Sequence, residues 1–177
     1  SAISIREQNP QGAKIITASN VFAHIDDLAE VIEGVKLLLS NDGVFIVEAP
    51  YIVDLLKTNS FDLIYHEHLS HFGVKPLKVL FGKLEMKIID VIHNESQGGS
   101  IRVFVARESS EHKVNKSVSQ FLGEEKKLKL HTVAPYISLG KRVGKNKLEL
   151  KKLLEKLKKD GKIIAGYGAS AKSATLL

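Results

Sequence analysis

Residues 65–72, Tyr-His-Glu-His-Leu-Ser-His-Phe, concentrate side chains that can donate, accept or shuttle a proton. Imidazole titrates nearest to neutral pH, so a tyrosine, a glutamate and histidines at this spacing suit general acid and base chemistry. Burying three histidines and a glutamate without partners would be costly. The segment therefore predicts a proton-transfer site, with a polar loop packed by Tyr65 and Phe72 as the alternative.

Metal binding is the rival chemistry for the same segment. On a strand, His66 and His68 would share one face, and His71 could supply a third ligand. The helical zinc pattern His-Glu-x-x-His is not matched, because His71 comes one residue too late. Proton transfer is therefore favoured over a metal hydrolase, and no metal ligands are assigned.

The composition is that of an ordinary water-soluble domain. A chain of 177 residues forms one full domain, or one domain and part of another. There are no cysteines, which excludes disulfides and thiolate metal sites. No apolar run approaches the roughly 18 residues of a membrane span, and the N-terminus lacks the plan of a signal peptide. A cytoplasmic protein with no membrane partner is expected.

The net charge of +6 comes largely from one lysine-rich stretch, residues 141–162. Within it Val143, Leu150 and Leu157 recur every seven residues, which predicts an amphipathic helix with lysines on its outer face. No aromatic or arginine-rich interleaving accompanies the lysines. A solvated helix face is favoured over a nucleic-acid surface, and no nucleic-acid partner is expected.

The first half of the chain reads as an α/β crossover unit. An apolar strand at 13–19 is followed by a helix at 28–39 and a continuous apolar strand at 44–50. Ligands of such sheets sit beyond the carboxyl ends of the strands, which puts residues 19–24 at the functional edge. His24 lies there, either as a ligand contact or as a filler of the loop before the helix.

The remaining elements are a short helix, a longer helix, two sheet strands and a helical region. We predict them at 51–57, 75–84, 86–93, 100–107, 117–129 and 132–159, with Pro135 and Gly140 as points where the last helix could break. Gly98 and Gly99 join the two strands, either as a hairpin loop or as backbone that approaches a ligand.

The end of the chain reads as a strand, a glycine-rich turn and the start of a helix. The strand is predicted from residue 162, the turn is Gly-Tyr-Gly at 166–168, and a helix follows. Such a junction directs backbone N–H groups at an anion, with Ser170 and Lys172 adding to them. A phosphate or nucleotide site is therefore a candidate here, although Gly-x-Gly alone is a weak signal.

Four segments of the chain occur together in a known family. They are residues 20–25 (Asn-Val-Phe-Ala-His-Ile), 65–70 (Tyr-His-Glu-His-Leu-Ser), 98–103 (Gly-Gly-Ser-Ile-Arg-Val) and 166–172 (Gly-Tyr-Gly-Ala-Ser-Ala-Lys). In this order and spacing they resemble the S-adenosylmethionine-dependent sugar C-methyltransferases. The resemblance covers nearly the whole chain.

The resemblance implies transfer of a methyl group from S-adenosylmethionine to a carbon of a nucleotide-linked keto-deoxysugar. It implies a Rossmann-like α/β fold, with the C-terminal half of the cofactor domain at 1–108 and, at 109–177, a helical linker and the start of a second Rossmann-like domain. It assigns His68 as the base, with Tyr65 and Glu67 assisting. His24 lines the site. A base near neutral pKa and a donor for the enolate oxygen are what this chemistry needs.

The same resemblance suggests two sets of binding residues. Those that border the cofactor are Ser19, Asn20, Val21 and Phe22. Those that bind the nucleotide-sugar are Gly98, Gly99, Ser100, Gly166, Tyr167, Gly168, Ser170 and Lys172.

The chain also departs from the family pattern. Members carry a cysteine-rich zinc segment and a glycine-rich cofactor turn near the N-terminus, and neither occurs here. Residues 172–175, Lys-Ser-Ala-Thr, stand where members usually have Lys-Gly-Asn-Thr. We therefore expect a fragment with little cofactor affinity, with zinc in the missing segment. A catalytically silent nucleotide-sugar binding protein is the alternative. Strand edges left open make a homo-oligomer plausible.

Overall fold

The computed structural model describes residues 1–168 and 170–176, which form seven α-helices and four strands. In chain order these elements are α1 (Ala2–Gln8), β1 (Ala13–Ser19), α2 (Leu28–Leu38), β2 (Leu39–Pro50), α3 (Ile52–Thr58), α4 (Val74–Lys83), β3 (Met86–Asn94), β4 (Ser100–Arg107), α5 (Lys116–Lys127), α6 (Ala134–Lys159) and α7 (Ser173–Leu176).

The four strands form one sheet in the order β1-β2-β4-β3. β1 and β2 are parallel and are joined by α2, while β4 runs antiparallel to both of its neighbours. Asp27 caps α2, because its carboxylate accepts a hydrogen bond of 2.9 Å from the Glu30 amide. The predicted α/β fold with a Rossmann-like half sheet is confirmed. The carboxyl ends of β1 and β2 lie together, with Ser19 opposite Glu48.

An aromatic cluster at the centre of the core fixes the two loops that follow β1 and α3. Phe22 is fully buried, and its ring centroid lies 5.5 Å from Phe72, 6.1 Å from Phe45 and 6.3 Å from Phe81. Phe22 comes two residues before His24, and Phe72 closes the histidine-rich segment. Buried aromatic pairs contribute beyond the area that they bury. The cluster therefore holds both loops against the same core.

A buried carboxylate ties α5 to the start of α4. Glu125 accepts hydrogen bonds from the Val74 and Lys75 amides and from the Tyr51 hydroxyl, the last at 3.1 Å. A negative charge suits the N-terminus of a helix, where N–H groups have no intrahelical partner. Burial, followed by the charge of Glu125, raises the pKa of Tyr51, which keeps its hydroxyl protonated as a donor. α5 thus packs on the core of the sheet, and a domain boundary at residue 108 stays a prediction.

α6 is a continuous helix of 26 residues, so the predicted breaks do not occur. Pro135 lies in the first turn, where its missing N–H costs nothing, and a side chain at Gly140 would meet open space. Among the described residues of α6, only Leu139 is buried. It packs with Leu55 and Leu63, while the lysine-rich second half is largely exposed.

The strand predicted from residue 162 is wrong. Residues 162–168 have no regular structure, and α7 has four residues. A strand needs a neighbour to accept and donate its backbone hydrogen bonds, and no described strand pairs with this segment. Ala169, inside the glycine-rich motif, lies outside the described residues. None of the described helices is both long and apolar enough to cross a membrane.

Candidate active site

The histidine-rich segment forms a turn that is hydrogen-bonded to the loop after β1. The His68 amide donates to the Tyr65 carbonyl at 3.0 Å, which closes the turn. The Leu69 amide donates to the Ala23 carbonyl at 2.9 Å and joins the turn to the 3₁₀ helix Phe22–His24. At the other end, the Ile52 amide bonds the Phe72 carbonyl. Backbone bonds at both ends therefore place Tyr65 and His68 beside His24.

Both ring nitrogens of His68 have a partner, and these partners define its tautomer. Nδ1 lies 2.8 Å from the Leu63 carbonyl oxygen, which can only accept, so Nδ1 carries the proton. In the neutral ring the lone pair of Nε2 then accepts a hydrogen bond from the Tyr65 hydroxyl, whose oxygen lies 3.1 Å away. A neutral imidazole with a basic Nε2 is the form that a general base requires.

His68 and Tyr65 line a small cavity of about 100 Å³. The rings of His24 and His68 meet edge to face, with centroids 4.9 Å apart. Five residues that the sequence predicted for function converge on this cavity; its described lining is Asn20, Ala23, His24, Ala49, Pro50, Tyr65, His68, Gln97 and Lys172. Gln97 was missed, although it directly precedes the predicted Gly98 and Gly99.

Asn20 brings an unsatisfied acceptor to the cavity. Its backbone is left-handed, with a φ of 53°, a conformation that asparagine tolerates better than most residues. Its amide donates to the Glu48 carbonyl at 2.9 Å, which fixes it at the carboxyl ends of β1 and β2. The side-chain Oδ1 is buried and has no hydrogen-bond partner among the described residues. A ligand that donates a hydrogen bond would satisfy it.

The two middle residues of the turn lie outside the cavity. The side chains of His66 and Glu67 are 81% and 56% exposed, with 3.9 Å between His66 Nε2 and Glu67 Oε1, and the His66 ring lies edge-on to Tyr65 with centroids 6.1 Å apart. Tyr65 and His68 are the first and last residues of the turn and are joined by its backbone hydrogen bond. The two residues between them point toward solvent. The structure does not bring Glu67 to the base that it was expected to assist.

His71 lies behind His68 rather than in the cavity. The two ring centroids are 6.0 Å apart, and His71 Nε2 is buried without a hydrogen-bond partner among the described residues. Burial, followed by the charge of His68, lowers the pKa of His71. The three histidines of the segment are not gathered in metal-binding geometry, and no group of acidic or histidine side chains in residues 1–168 and 170–176 has it. The metal-hydrolase hypothesis therefore loses its geometric basis.

Three of the four residues predicted to border the cofactor do not line the cavity. The Ser19 hydroxyl donates to Glu48 at 3.4 Å, and the same carboxylate accepts two bonds from the Arg102 guanidinium. Val21 is half exposed on the surface. Phe22 is buried in the core, where its side chain supports the loop. Only Asn20 of this set faces the cavity.

The glycine pair before β4 has a packing role. A side chain at Gly99 would collide with Asp54, since its Cβ would lie 2.4 Å from the Asp54 carboxyl carbon. Gly98 and Gly99 both have positive φ angles, 81° and 123°, which favour glycine. Ser100 is fully buried, and its hydroxyl donates to the Ser96 carbonyl at 2.8 Å. These contacts favour a tight strand connection over direct ligand binding.

Among the described residues of the glycine-rich motif near the C-terminus, one lines the cavity. Gly166, Tyr167 and Ser170 are exposed, and Gly168 has a φ of 100°. The described residues of the motif lack the strand that was to lead into the predicted anion-binding junction. Lys172 reaches the cavity, where its Nζ lies 3.5 Å from Gln97 Oε1.

Comparison with known proteins gives the class first. Residues 95–177 match the family model described as the C-methyltransferase C-terminal domain. Just under half of the chain is thus similar to C-methyltransferases, and the resemblance inferred from its motifs is confirmed. The turn at 65–68 lies outside that match, so its candidate role rests on its geometry.

A particular relative is C-methyltransferase NovU of Streptomyces niveus, which is 39% identical over 165 residues. The match covers 93% of this chain, and the chain spans about 39% of the length of that relative. Among solved structures, the crystal structure of M1.HpyAVI matches 62% of this chain and 51% of that chain, at 11% identity and a TM-score of 0.38.

Proposed function

We propose that this chain carries the proton-abstracting part of an S-adenosylmethionine-dependent C-methyltransferase that acts on a nucleotide-linked keto-deoxysugar. The observation that carries the proposal is the tautomer of His68. Its Nδ1–H is held by the Leu63 carbonyl, and its Nε2 faces a cavity in which Tyr65 supplies an O–H donor. A base and an acid next to each other are what enolisation of a ketone uses.

The chemistry follows from these two side chains. His68 Nε2 removes the proton from the carbon next to the ketone, and the electrons of the broken C–H bond delocalise onto the carbonyl oxygen. The Leu63 carbonyl keeps the imidazolium oriented while it holds that proton. Tyr65, released from Nε2 when substrate enters, can donate its O–H to the enolate oxygen. S-adenosylmethionine, when bound, supplies the electrophilic methyl group that the carbon accepts.

The residues present fit the cofactor at one point. Asn20 Oδ1 is a buried acceptor with no described partner, at the carboxyl edge where α/β sheets bind ligands. Asn20 is therefore the residue that would hold a hydrogen-bond donor of the cofactor. Because the glycine-rich cofactor turn of the family does not occur in this sequence, we expect weak cofactor binding by the chain alone.

The size of the cavity agrees with the reacting end of a sugar. About 100 Å³ holds on the order of three water molecules, which is enough for a ketone and its neighbouring carbon. The nucleotide would then lie outside the cavity. By the same resemblance we place zinc in the N-terminal segment of the parent protein and the enzyme in cytoplasmic deoxysugar biosynthesis. For this chain by itself, self-association through the open edge of β1 is a further hypothesis.

The test is methyl transfer by the full-length parent protein. Labelled S-adenosylmethionine is supplied with a panel of nucleotide-linked keto-deoxysugars, and the position of the new methyl group is determined by NMR. The proposal predicts a C-methylated sugar. Methyl transfer to oxygen or nitrogen would contradict it, and tight binding of the nucleotide-sugars without any methyl transfer would favour the silent binding protein instead.

A further inference from the structure

The charge of the cavity is set by one residue. Among its described lining residues, Lys172 is the only one that carries a permanent charge at neutral pH, and none is acidic. Glu67, the nearest carboxylate in the sequence to the base, is exposed outside the cavity. The cavity is therefore matched to a group that becomes negative within it.

Lys172 and His68 are connected through two short helices that contact each other, α7 and the 3₁₀ helix Phe61–Leu63. α7 begins directly after Lys172, and the Thr175 hydroxyl donates to the Lys172 carbonyl at 2.8 Å. α7 packs against the 3₁₀ helix Phe61–Leu63, whose Leu63 carbonyl holds His68 Nδ1. The contact between α7 and this 3₁₀ helix therefore helps to place Lys172 and the His68 ring relative to each other.

The ammonium group of Lys172 has one described hydrogen-bond contact. Lys172 Nζ contacts Gln97 Oε1 at 3.5 Å, a long bond that uses at most one of its three donors. Proton removal by His68 leaves a negative charge on the substrate's carbonyl oxygen, where a further cation can stabilise it. A cation placed beside the oxygen where the charge develops stabilises that charge.

We propose that Lys172 is a catalytic residue whose ammonium stabilises the enolate oxygen that forms when His68 removes the substrate proton. This rests on the proposed function, and it differs from the role that the sequence suggested for Lys172, which was to bind the phosphates of the nucleotide. The cation would act on the intermediate and much less on the bound substrate. Its loss therefore lowers the rate more than the affinity.

The test uses the full-length parent with Lys172→Gln, Lys172→Arg and the control Lys162→Gln. Lys162 is an exposed lysine ten residues upstream, outside the cavity. Two quantities are measured: exchange of the substrate's acidic C–H with D₂O at saturating nucleotide-sugar, and the affinity for the nucleoside diphosphate alone. We expect Lys172→Gln to slow exchange by about 100-fold or more, with nucleotide affinity changed less than about threefold. Lys172→Arg should recover part of the rate, and Lys162→Gln should match the parent.

Three results would overturn the proposal. Unchanged exchange with a tenfold loss of nucleotide affinity in Lys172→Gln would make the lysine a phosphate ligand. Parent-like values for both quantities would remove it from the site. No exchange by the parent with any nucleotide-linked ketosugar would overturn the proposed function together with this inference, whereas the first two results leave that function intact. Thermal unfolding of each variant verifies that it is folded.

Discussion

The four residues of the turn at 65–68 divide into two pairs that differ in hydrogen bonding and in access to the cavity. Tyr65 and His68 close the turn, bond each other and face a cavity. His66 and Glu67 lie between them in the sequence, yet their side chains are exposed and do not line the cavity. All four are residue types that catalyse proton transfer. The comparison teaches that the fold selects the functional pair: chemistry needs the right side chain and a partner that fixes its tautomer and direction.

The largest expected effect comes from removing the support beneath the inner pair. Phe22→Ala deletes a fully buried ring from the aromatic cluster, which should lower the free energy of unfolding by about 3–5 kcal/mol. Urea unfolding of the chain measures this loss. Val21→Ala is the control, because Val21 is half exposed and should cost about 0.5 kcal/mol or less. Equal losses for the two variants would mean that the cluster does not hold the loop.

The next effect tests the inner pair itself. Tyr65→Phe removes the O–H that bonds His68 Nε2 and keeps the ring, so we expect methyl transfer by the full-length parent to fall by about 10- to 100-fold. Tyr136→Phe is the matched control, since that hydroxyl bonds the Leu130 carbonyl between α5 and α6. A Tyr65→Phe enzyme as fast as the parent would exclude the hydroxyl from the reaction.

The third prediction contrasts the buried His71 with the exposed His66. The pKa of His71 is lowered from 6.5 in the folded state, mainly by burial, so below that pH the unfolded chain binds more protons. Stability is therefore full above pH 6.5 and falls as the pH drops toward the folded pKa. Replacing His71 by Phe should flatten this acid-side loss in urea unfolding measured at several pH values. His66→Gln should keep it, and a His71→Phe profile identical to the parent would contradict the assignment.

The smallest effect concerns the outer pair. His66→Gln and Glu67→Gln change side chains that reach neither the cavity nor the base, so each should alter kcat by no more than about twofold. Steady-state methyl transfer by the parent protein measures it. A tenfold loss in Glu67→Gln would restore the assisting role that the family resemblance gave to Glu67.

The sheet and the identity of the site segment were predictable because local signals and tertiary contacts agree. The alternation of β4 gave its bounds, Ser100–Arg107, and the acidic cap gave the start of α2 at Leu28. The concentration of Tyr65 and His68 in one segment marked the site. Each of these elements finds its partner within the described residues.

Sequence reasoning was less successful where the conformation of a segment depends on contacts with distant parts of the chain. The apolar run from residue 162 has the composition of a strand, but none of the described strands pairs with it. The family resemblance assigned Phe22 to the cofactor border, an assignment that stays a prediction, whereas its buried place in the core could not be read from the sequence. Gln97 carried no sequence signal, because its place in the cavity comes from the left-handed backbone ahead of Gly98.

The most direct test of the central claim is deprotonation by His68 alone. Exchange of the C–H next to the ketone of a nucleotide-linked keto-deoxysugar is followed by NMR in D₂O, with the full-length parent and with His68→Gln. We predict exchange by the parent and a loss of about 10²- to 10⁴-fold in the variant, with nucleotide-sugar affinity retained. Exchange by His68→Gln at the parent's rate would contradict the account and move the base to another residue of the cavity.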